Sequence, residues 1–226
     1  MRYQTVIPGT FLARPNRFVA VVRTEEGEQI CHVKNTGRCR ELLIPGTQVW
    51  LERADSQKRK TAFDLIAVQK GEKLINMDAQ APNRVFAEWA AAGNFLPEVR
   101  EIRPEYTYGD SRLDFCIRTS TRTHLVEVKG VTLEENGIAR FPDAPTERGV
   151  RHLHELCRAV AEGLDATLFF VVQMEGVHCV LPNDATHPEF GRMLRQAASS
   201  GVRVEAWDCA VRPDNLVLRR QAPVLL

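Results

Sequence analysis

The pattern of apolar residues changes character at Ala81-Pro82, and that change divides the chain into two architectures in succession. Before it, apolar and β-branched residues come in short runs: FVAVVR (Phe18 to Arg23), QICHVK (Gln29 to Lys34), TQVWLER, AFDLIAVQK and KLINMD. Glu-Glu-Gly, Pro45-Gly46 and Gly71 punctuate them as turns. Such runs predict about five strands within 80 residues, which is the texture of a small closed barrel. A brief helical stretch, CRELLI, is expected between the second and third of these runs.

After Ala81 the period lengthens. PNRVFAEWAAAG places Val85, Phe86, Trp89 and Ala90 on one helical stripe and ends at Gly93. RLDFCIR (Arg112 to Arg118) and THLVEVKGV (Thr123 to Val131) predict strands. TERGVRHLHELCRAVAEG predicts a helix with Val150, Leu153, Leu156, Cys157 and Val160 on its apolar stripe. ATLFFVVQM reads as a fully buried strand, FGRMLRQAASSG as a helix closed by Gly201, and VRVEAWD as a further strand. Strands alternating with helices imply a mixed or largely parallel sheet covered on both faces. The predicted class is α/β (α+β overall): an OB-like β-barrel over residues 1–80, then a mixed-sheet α/β domain over 81–226.

Composition excludes several classes. A hydrophobic share of 44% with 26% charged residues is that of a globular chain. The longest apolar run, Ala166 to Val172 interrupted by Thr167, is too short to span a bilayer, and MRYQTVIPGTFLARPNRF carries no apolar signal core. A cytoplasmic protein with no membrane partner is expected. The six cysteines are scattered, with no C-x-x-C pair, and read as reduced core residues. Net charge is +1, yet residues 1–80 hold 13 Lys and Arg against 9 Asp and Glu, and residues 81–226 hold 17 against 20. A basic front and an acidic back suit a polyanion-binding module joined to a site that gathers carboxylates.

That site is legible around RLDF and HLVEVKG. On a strand, Glu127 and Lys129 share a face about 6–7 Å apart, while Val126 and Val128 point the other way into packing. The residues between Arg118 and Thr123 suffice for a hairpin, which brings Asp114 beside Glu127. Two carboxylates with oxygen ligands only suit Mg²⁺ or Mn²⁺, and the metal ligands predicted are Asp114 and Glu127. Lys129 is the only lysine after residue 81. A compact ammonium kept where every other cation is Arg fits proton transfer or a point charge at a phosphate. Asp114, Glu127 and Lys129 are the predicted catalytic set.

This pattern resembles the restriction-endonuclease-like, or PD-(D/E)xK, nuclease superfamily. The strings HVKNTGR, RLDF, VEVKGVTLE and FPDAPTERGVRHLHEL are similar to those of the sugar fermentation stimulation protein family, over about Leu12 to Val204. The resemblance implies an N-terminal OB domain, a C-terminal nuclease-like domain and DNA binding, with an association with sugar metabolism that is a phenotype and not a reaction. The chain departs from the family at Val33-Lys34, where Cys-Pro is usual, and at Pro145, where Val is frequent. RLDF also lacks the Pro of the superfamily motif.

Other residues are candidates for nucleic-acid contacts. Asn35-Thr36-Gly37-Arg38 reads as a loop whose glycine can take positive φ and expose backbone N–H groups. With Arg40 and the Lys58-Arg59-Lys60 cluster it is expected to follow a phosphate backbone. Arg148 and His152 share the polar side of their helix with Arg151 and Glu155, and the family resemblance favours phosphate contact for the first two. Glu88 on the preceding helix is a candidate extra carboxylate or a solvated surface residue, and Asp143 a turn or helix-capping residue. The function expected is a divalent-metal-dependent nuclease; the alternative is a non-catalytic DNA-binding regulator of sugar (maltose) metabolism. An intact acidic pair favours the first, because a pure binder gains nothing from carboxylates that repel phosphate.

Overall fold

The computed structural model describes residues 1–35, 37–54 and 59–226. Six strands build the front of the molecule: β1 (Val6–Asn16), β2 (Val19–Thr24), β3 (Gly27–Val33), β4 (Gln48–Arg53), β5 (Phe63–Lys70) and β6 (Lys73–Asn76). β1 pairs antiparallel with β2 and with β4, and β4 pairs with β5. A parallel contact between β3 and β5 then closes a five-stranded barrel of OB type, leaving β6 as a hairpin arm on β5. Phe11, Val22, Val33, Leu51, Phe63 and Leu65 fill it and are wholly buried.

The barrel is therefore β1–β5, not the five runs from Phe18 onward that the sequence suggested. β1 escaped because VIPGTFLARPN carries two prolines and a glycine, which read as turn residues. Pro8 is tolerated because β1 meets only β4 there, its pairing with β2 starting at Thr10. Gly9 is required by crowding: a Cβ on it would lie 2.5 Å from Val22 Cγ1. The expected CRELLI helix is a single turn, with Leu42 and Leu43 N–H both donating to the Cys39 carbonyl. Cys39 sits at φ 45° and Pro45-Gly46 follows at once, so no second turn can form.

Behind the barrel lies a mixed sheet in the order β15-β14-β12-β9-β8-β7. Its strands are β7 (Glu101–Tyr108), β8 (Ser111–Arg118), β9 (Thr123–Val131), β12 (Asp165–Val172), β14 (Arg203–Arg212) and β15 (Asn215–Ala222). The central β9, β12 and β14 are parallel, and the outer strands antiparallel. Helix α1 (Ala81–Ala91) covers one face. There the Phe86 ring lies 4.8 Å from Phe169 and 5.2 Å from Phe115, over Val126 and Val128. Helices α2 (Glu147–Ala161) and α3 (Pro188–Ser199) cover the other, where Leu153 and Leu156 join Leu125 and Phe170. A small sheet of β10 (Glu134–Glu135), β11 (Ile138–Phe141) and β13 (Cys179–Pro182) flanks the sheet. β7 was not foreseen: in EIRPEYTY, Ile102, Tyr106 and Tyr108 are only partly buried along an exposed, charged edge strand, and Pro104 interrupts the strand signal.

Barrel and sheet meet through buried polar groups. Gln173 donates to Asn76 Oδ1 and to the Asp78 carbonyl, while Lys34 reaches Asp78 at 3.2 Å. Glu134 is clamped by Lys70 and Lys73 from the barrel hairpin and by the Gly137 N–H. Burial alone would raise the Glu134 carboxyl, but these donors overcome it and hold the group down to about 2 from its ordinary 4.5. Because the folded state favours the charged form, the stabilisation is complete above pH 4.5 and is lost as pH falls toward 2. Glu134→Gln is expected to cost about 3 kcal/mol at pH 7. Urea unfolding of both proteins across pH 5 to 2 should show the difference vanish, and a difference that does not change with pH would refute the assignment.

Candidate active site

The ladder between β8 and β9 runs from Arg118↔Thr123 to Phe115↔Val126 and stops there. The next residue on β8 is Asp114. Its carboxylate takes over from the ladder, with Oδ2 accepting from the Val128 N–H at 2.8 Å. Asn83, from the first turn of α1, donates to Oδ1 at 2.8 Å. On the far side, β9 stays paired with β12 from His124 to Val131, which holds Glu127 and Lys129 in register.

Strand alternation places Glu127 and Lys129 toward α2, with Val126 and Val128 in the aromatic cluster under α1, as the sequence implied. Glu127 is 2% exposed. Lys129 Nζ lies 2.5 Å from Glu127 Oε1, and His152 Nδ1 meets the same oxygen. Among the described residues Oε2 has no hydrogen-bond partner although it is buried. Burial and the charge of Glu127 push the Asp114 carboxyl up, against the Val128 N–H, Lys129 and Asn83. Burial also pushes Glu127 up, but His152 and Lys129 outweigh it and hold that carboxyl below its ordinary range. A buried carboxylate oxygen without a donor, beside a second carboxylate, makes an oxygen-only donor set that suits a hard divalent cation.

The remaining candidates are distributed as follows. His152 is not on a solvated helix face: it is 3% exposed, wedged between Glu127 and Arg148, whose Nε donates to His152 Nε2 at 3.2 Å. Arg148 is exposed, so its terminal nitrogens stay accessible. Glu88 faces away from the site and pairs with the Met1 amino group at 2.8 Å; α1 reaches the site through Asn83 instead. Asp143 does not cap α2, because Thr146 does so through its hydroxyl on the Gly149 N–H. Asp143 packs against the loop at Asn35 and Gly37, where a Cβ on Gly37 would stand 2.2 Å from Asp143 Oδ2. Gly37 is therefore demanded by this close approach and not by positive φ, and the Asn35 side chain already accepts its N–H. Thr36 and Lys58 lie outside the described residues.

Arg59 commits its guanidinium to the buried Asp64, while Lys60 is exposed. Arg14, not singled out in the sequence, donates to the carbonyls of Asn35, Gly37 and Arg38 and so shapes that loop. Around it Arg17, Arg38 and Arg40 line an open groove, all exposed and none paired with a carboxylate among the described residues. A separate cleft, lined by Asn35, Gly130, Arg140, Asp143 and Gln173, begins one residue beyond Lys129. Arg14, Asn83 and Gln173 carried no local signal: each matters through a partner distant in sequence.

One further acidic and histidine group, Glu147, His187 and Glu189, joins the starts of α2 and α3. The Thr146 N–H donates to His187 Nδ1, so Nε2 carries the proton toward Glu147. Two positive helix ends also converge there, which favours these glutamates without a cation.

A barrel of OB type joined to a mixed-sheet α/β domain, with an acidic pair and a lysine on the adjacent strands β8 and β9, defines the class of protein. Residues 12–77 match the SfsA N-terminal OB domain, and residues 80–215 match the sugar fermentation stimulation protein RE domain. The sugar fermentation stimulation protein homolog of Desulfitobacterium hafniense is 54% identical over 216 residues, covering 96% of this chain and 94% of its own. The homolog of Clostridium beijerinckii is 50% identical over 226 residues, the full length of both. Pyrococcus furiosus SfsA, solved in complex with Ca²⁺, superposes with a TM-score of 0.91 at 28% identity, over 100% of this chain and 98% of that one. The chain belongs to the sugar fermentation stimulation protein family.

The two carboxylates make opposite demands on the metal-free protein, and this can be measured. Ionised Asp114 is held against burial and against Glu127, so Asp114→Asn is expected to raise the thermal midpoint at pH 7. Glu127→Gln removes the charged acceptor of Lys129 and His152 and is expected to cost about 1.5–3 kcal/mol. Unfolding in EDTA that moves both variants in the same direction would contradict the described balance.

Proposed function

We propose that this chain is a divalent-metal-dependent nuclease acting on DNA. The observation that carries the reading is Glu127 Oε2, buried and without a donor among the described residues, beside the Asp114 carboxylate. Asp114 and Glu127 would hold Mg²⁺ or Mn²⁺, and the Ca²⁺ complex of the Pyrococcus furiosus relative supports an oxygen-seeking divalent ion. Such a cation supplies Lewis-acid stabilisation of charge building on a scissile phosphate.

The chain's own groups do the rest. Lys129 has three donors, of which one rests on Glu127 Oε1, leaving others for a phosphoryl oxygen or the attacking water. Arg148, with Nε on His152, keeps a fork of terminal nitrogens for the phosphate backbone. Val128 and Asn83 fix Asp114, so neither carboxylate needs to reorganise when substrate arrives. The division of labour assigns chemistry to residues 81–226 and phosphate tracking to residues 1–80, through Arg17, Arg38, Arg40 and Lys60. No ladder of exposed aromatics lines the arginine groove among the described residues, so binding there is to phosphates more than to bases.

The test incubates wild type and variants with labelled DNA and RNA, single- and double-stranded, in Mg²⁺, Mn²⁺ and EDTA. Asp114→Asn, Glu127→Gln and Lys129→Ala should abolish cleavage, and the first two should preserve or strengthen metal-free binding by removing repulsion. Lys129→Arg should rescue little, since a larger fork replaces a point charge. Wild type that cuts none of these substrates, or variants as active as wild type, would return the chain to the DNA-binding regulator.

Binding should also be strongly salt-dependent. Arg17→Ala, Arg38→Ala and Arg40→Ala each remove one partner of a phosphate, and each is expected to lower the log–log salt slope by about 0.7 to 0.9. An unchanged slope in the triple variant would remove the groove from the interface.

A further inference from the structure

Both donors that reach Glu127 crowd onto one of its oxygens. Lys129 Nζ and His152 Nδ1 each meet Oε1, and Oε2 is left with none among the described residues. One donor on each oxygen would satisfy the carboxylate fully, so the observed arrangement leaves one oxygen open to a further ligand. The side chain that creates the asymmetry from outside the strand is His152.

Its protonation pattern follows from its neighbours. Arg148 Nε can only donate, and it points at His152 Nε2 from 3.2 Å. Nε2 must therefore offer its lone pair, which puts the ring proton on Nδ1, facing Glu127 Oε1. The opposite tautomer would set two donors face to face at Arg148 and two lone pairs face to face at Glu127. The Nδ1–H tautomer satisfies both neighbours.

The helix that carries these groups is itself held. Arg148 and His152 are four residues apart and share one side of α2. The Thr146 hydroxyl caps α2 at the Gly149 N–H, and a Cβ on Gly149 would stand 3.2 Å from Phe190 of α3. With 3% exposure and both nitrogens engaged, His152 cannot also reach a nucleic-acid phosphate.

We propose that His152, locked as its Nδ1–H tautomer by Arg148, is a positioning residue that turns Glu127 Oε2 toward the divalent cation. The inference rests on the cation reading of Asp114 and Glu127. Outer donors to a ligating carboxylate fix its orientation, and their removal weakens a metal site roughly 10–100-fold in affinity.

Two measurements test it. In metal-free protein labelled with ¹⁵N-histidine, long-range ¹H–¹⁵N spectra should show His152 protonated at Nδ1 and bare at Nε2. An Nε2–H or doubly protonated ring overturns the proposal whatever the metal does. Titration with Mn²⁺ alone, followed by calorimetry and by the fall of the free-Mn²⁺ resonance, should show His152→Ala binding about 10–100-fold more weakly than wild type. His152→Asn places an amide N–H where Nδ1–H stood and should recover most of that affinity, which a merely space-filling role would not predict. Arg148→Ala, at an exposed position, keeps the test alive if His152→Ala does not fold, and should weaken Mn²⁺ binding a few-fold. Wild type that binds Mn²⁺ while all these variants bind equally well overturns this inference alone. Wild type that binds no Mn²⁺ overturns the cation reading and the inference together.

Discussion

The hydrogen bond from the Val128 N–H to the Asp114 carboxylate is the interaction on which the candidate site depends. An N–H in mid-sheet must find an acceptor, and β8 ceases to provide a backbone one where its ladder with β9 ends at Phe115. A side chain takes the place of a carbonyl, which fixes Asp114 beside Glu127 and forces two carboxylates together in a buried place. The raised Asp114 carboxyl and the depressed Glu127 carboxyl are two expressions of that arrangement. A sheet can tolerate it because β9 is anchored to β12 from His124 to Val131 and by Val126 and Val128 in the aromatic cluster.

From this strand the architecture spreads in both directions. Toward α1, Asn83 ties the first turn of the helix to Asp114 while Phe86 packs against Phe115 and Phe169 of the sheet. Toward α2, His152 and Arg148 bring a helix side chain and its supporting guanidinium onto Glu127. At the C-terminal end of β9, Gly130 lets Gln173 and Pro82 approach within a distance that no Cβ would permit. Gln173 then binds Asn76 and Asp78, so the barrel is coupled to the strand that bears the site. The close approach of Gly37 to Asp143 adds a second tie between barrel loop and the entry to α2. A loop shaped by Arg14 and bordered by Arg17, Arg38 and Arg40 is thus held in fixed relation to the carboxylates.

Legibility varied with how local the physical cause was. The helices α1, α2 and α3 announce themselves by a repeating buried face, and the strands β8, β9, β12 and β14 by short apolar and β-branched runs, β12 without alternation because both its faces are buried. The hairpin between Arg118 and Thr123 followed from spacing, as did the shared face of Glu127 and Lys129. β1 and β7 were hidden, the first by prolines and a glycine that suit a bulged strand, the second by an exposed polar edge. The turn at Cys39 to Leu43 carried a helical composition, but Cys39 at positive φ and Pro45 left it no room.

The sequence by itself determined the two-part architecture, the acidic pair with its lysine and the family to which the chain belongs, because these depend on periodicity, residue chemistry and short spacing. Tertiary structure decided which nitrogen of His152 bears a proton, that Glu88 turns away and Asn83 turns in, that Gly37 serves close approach to Asp143, and that Arg59 is engaged by Asp64. Each of these is a matter of what lies opposite a side chain across a gap of many residues. A local pattern records which face a residue occupies, and only the packed molecule supplies the partner.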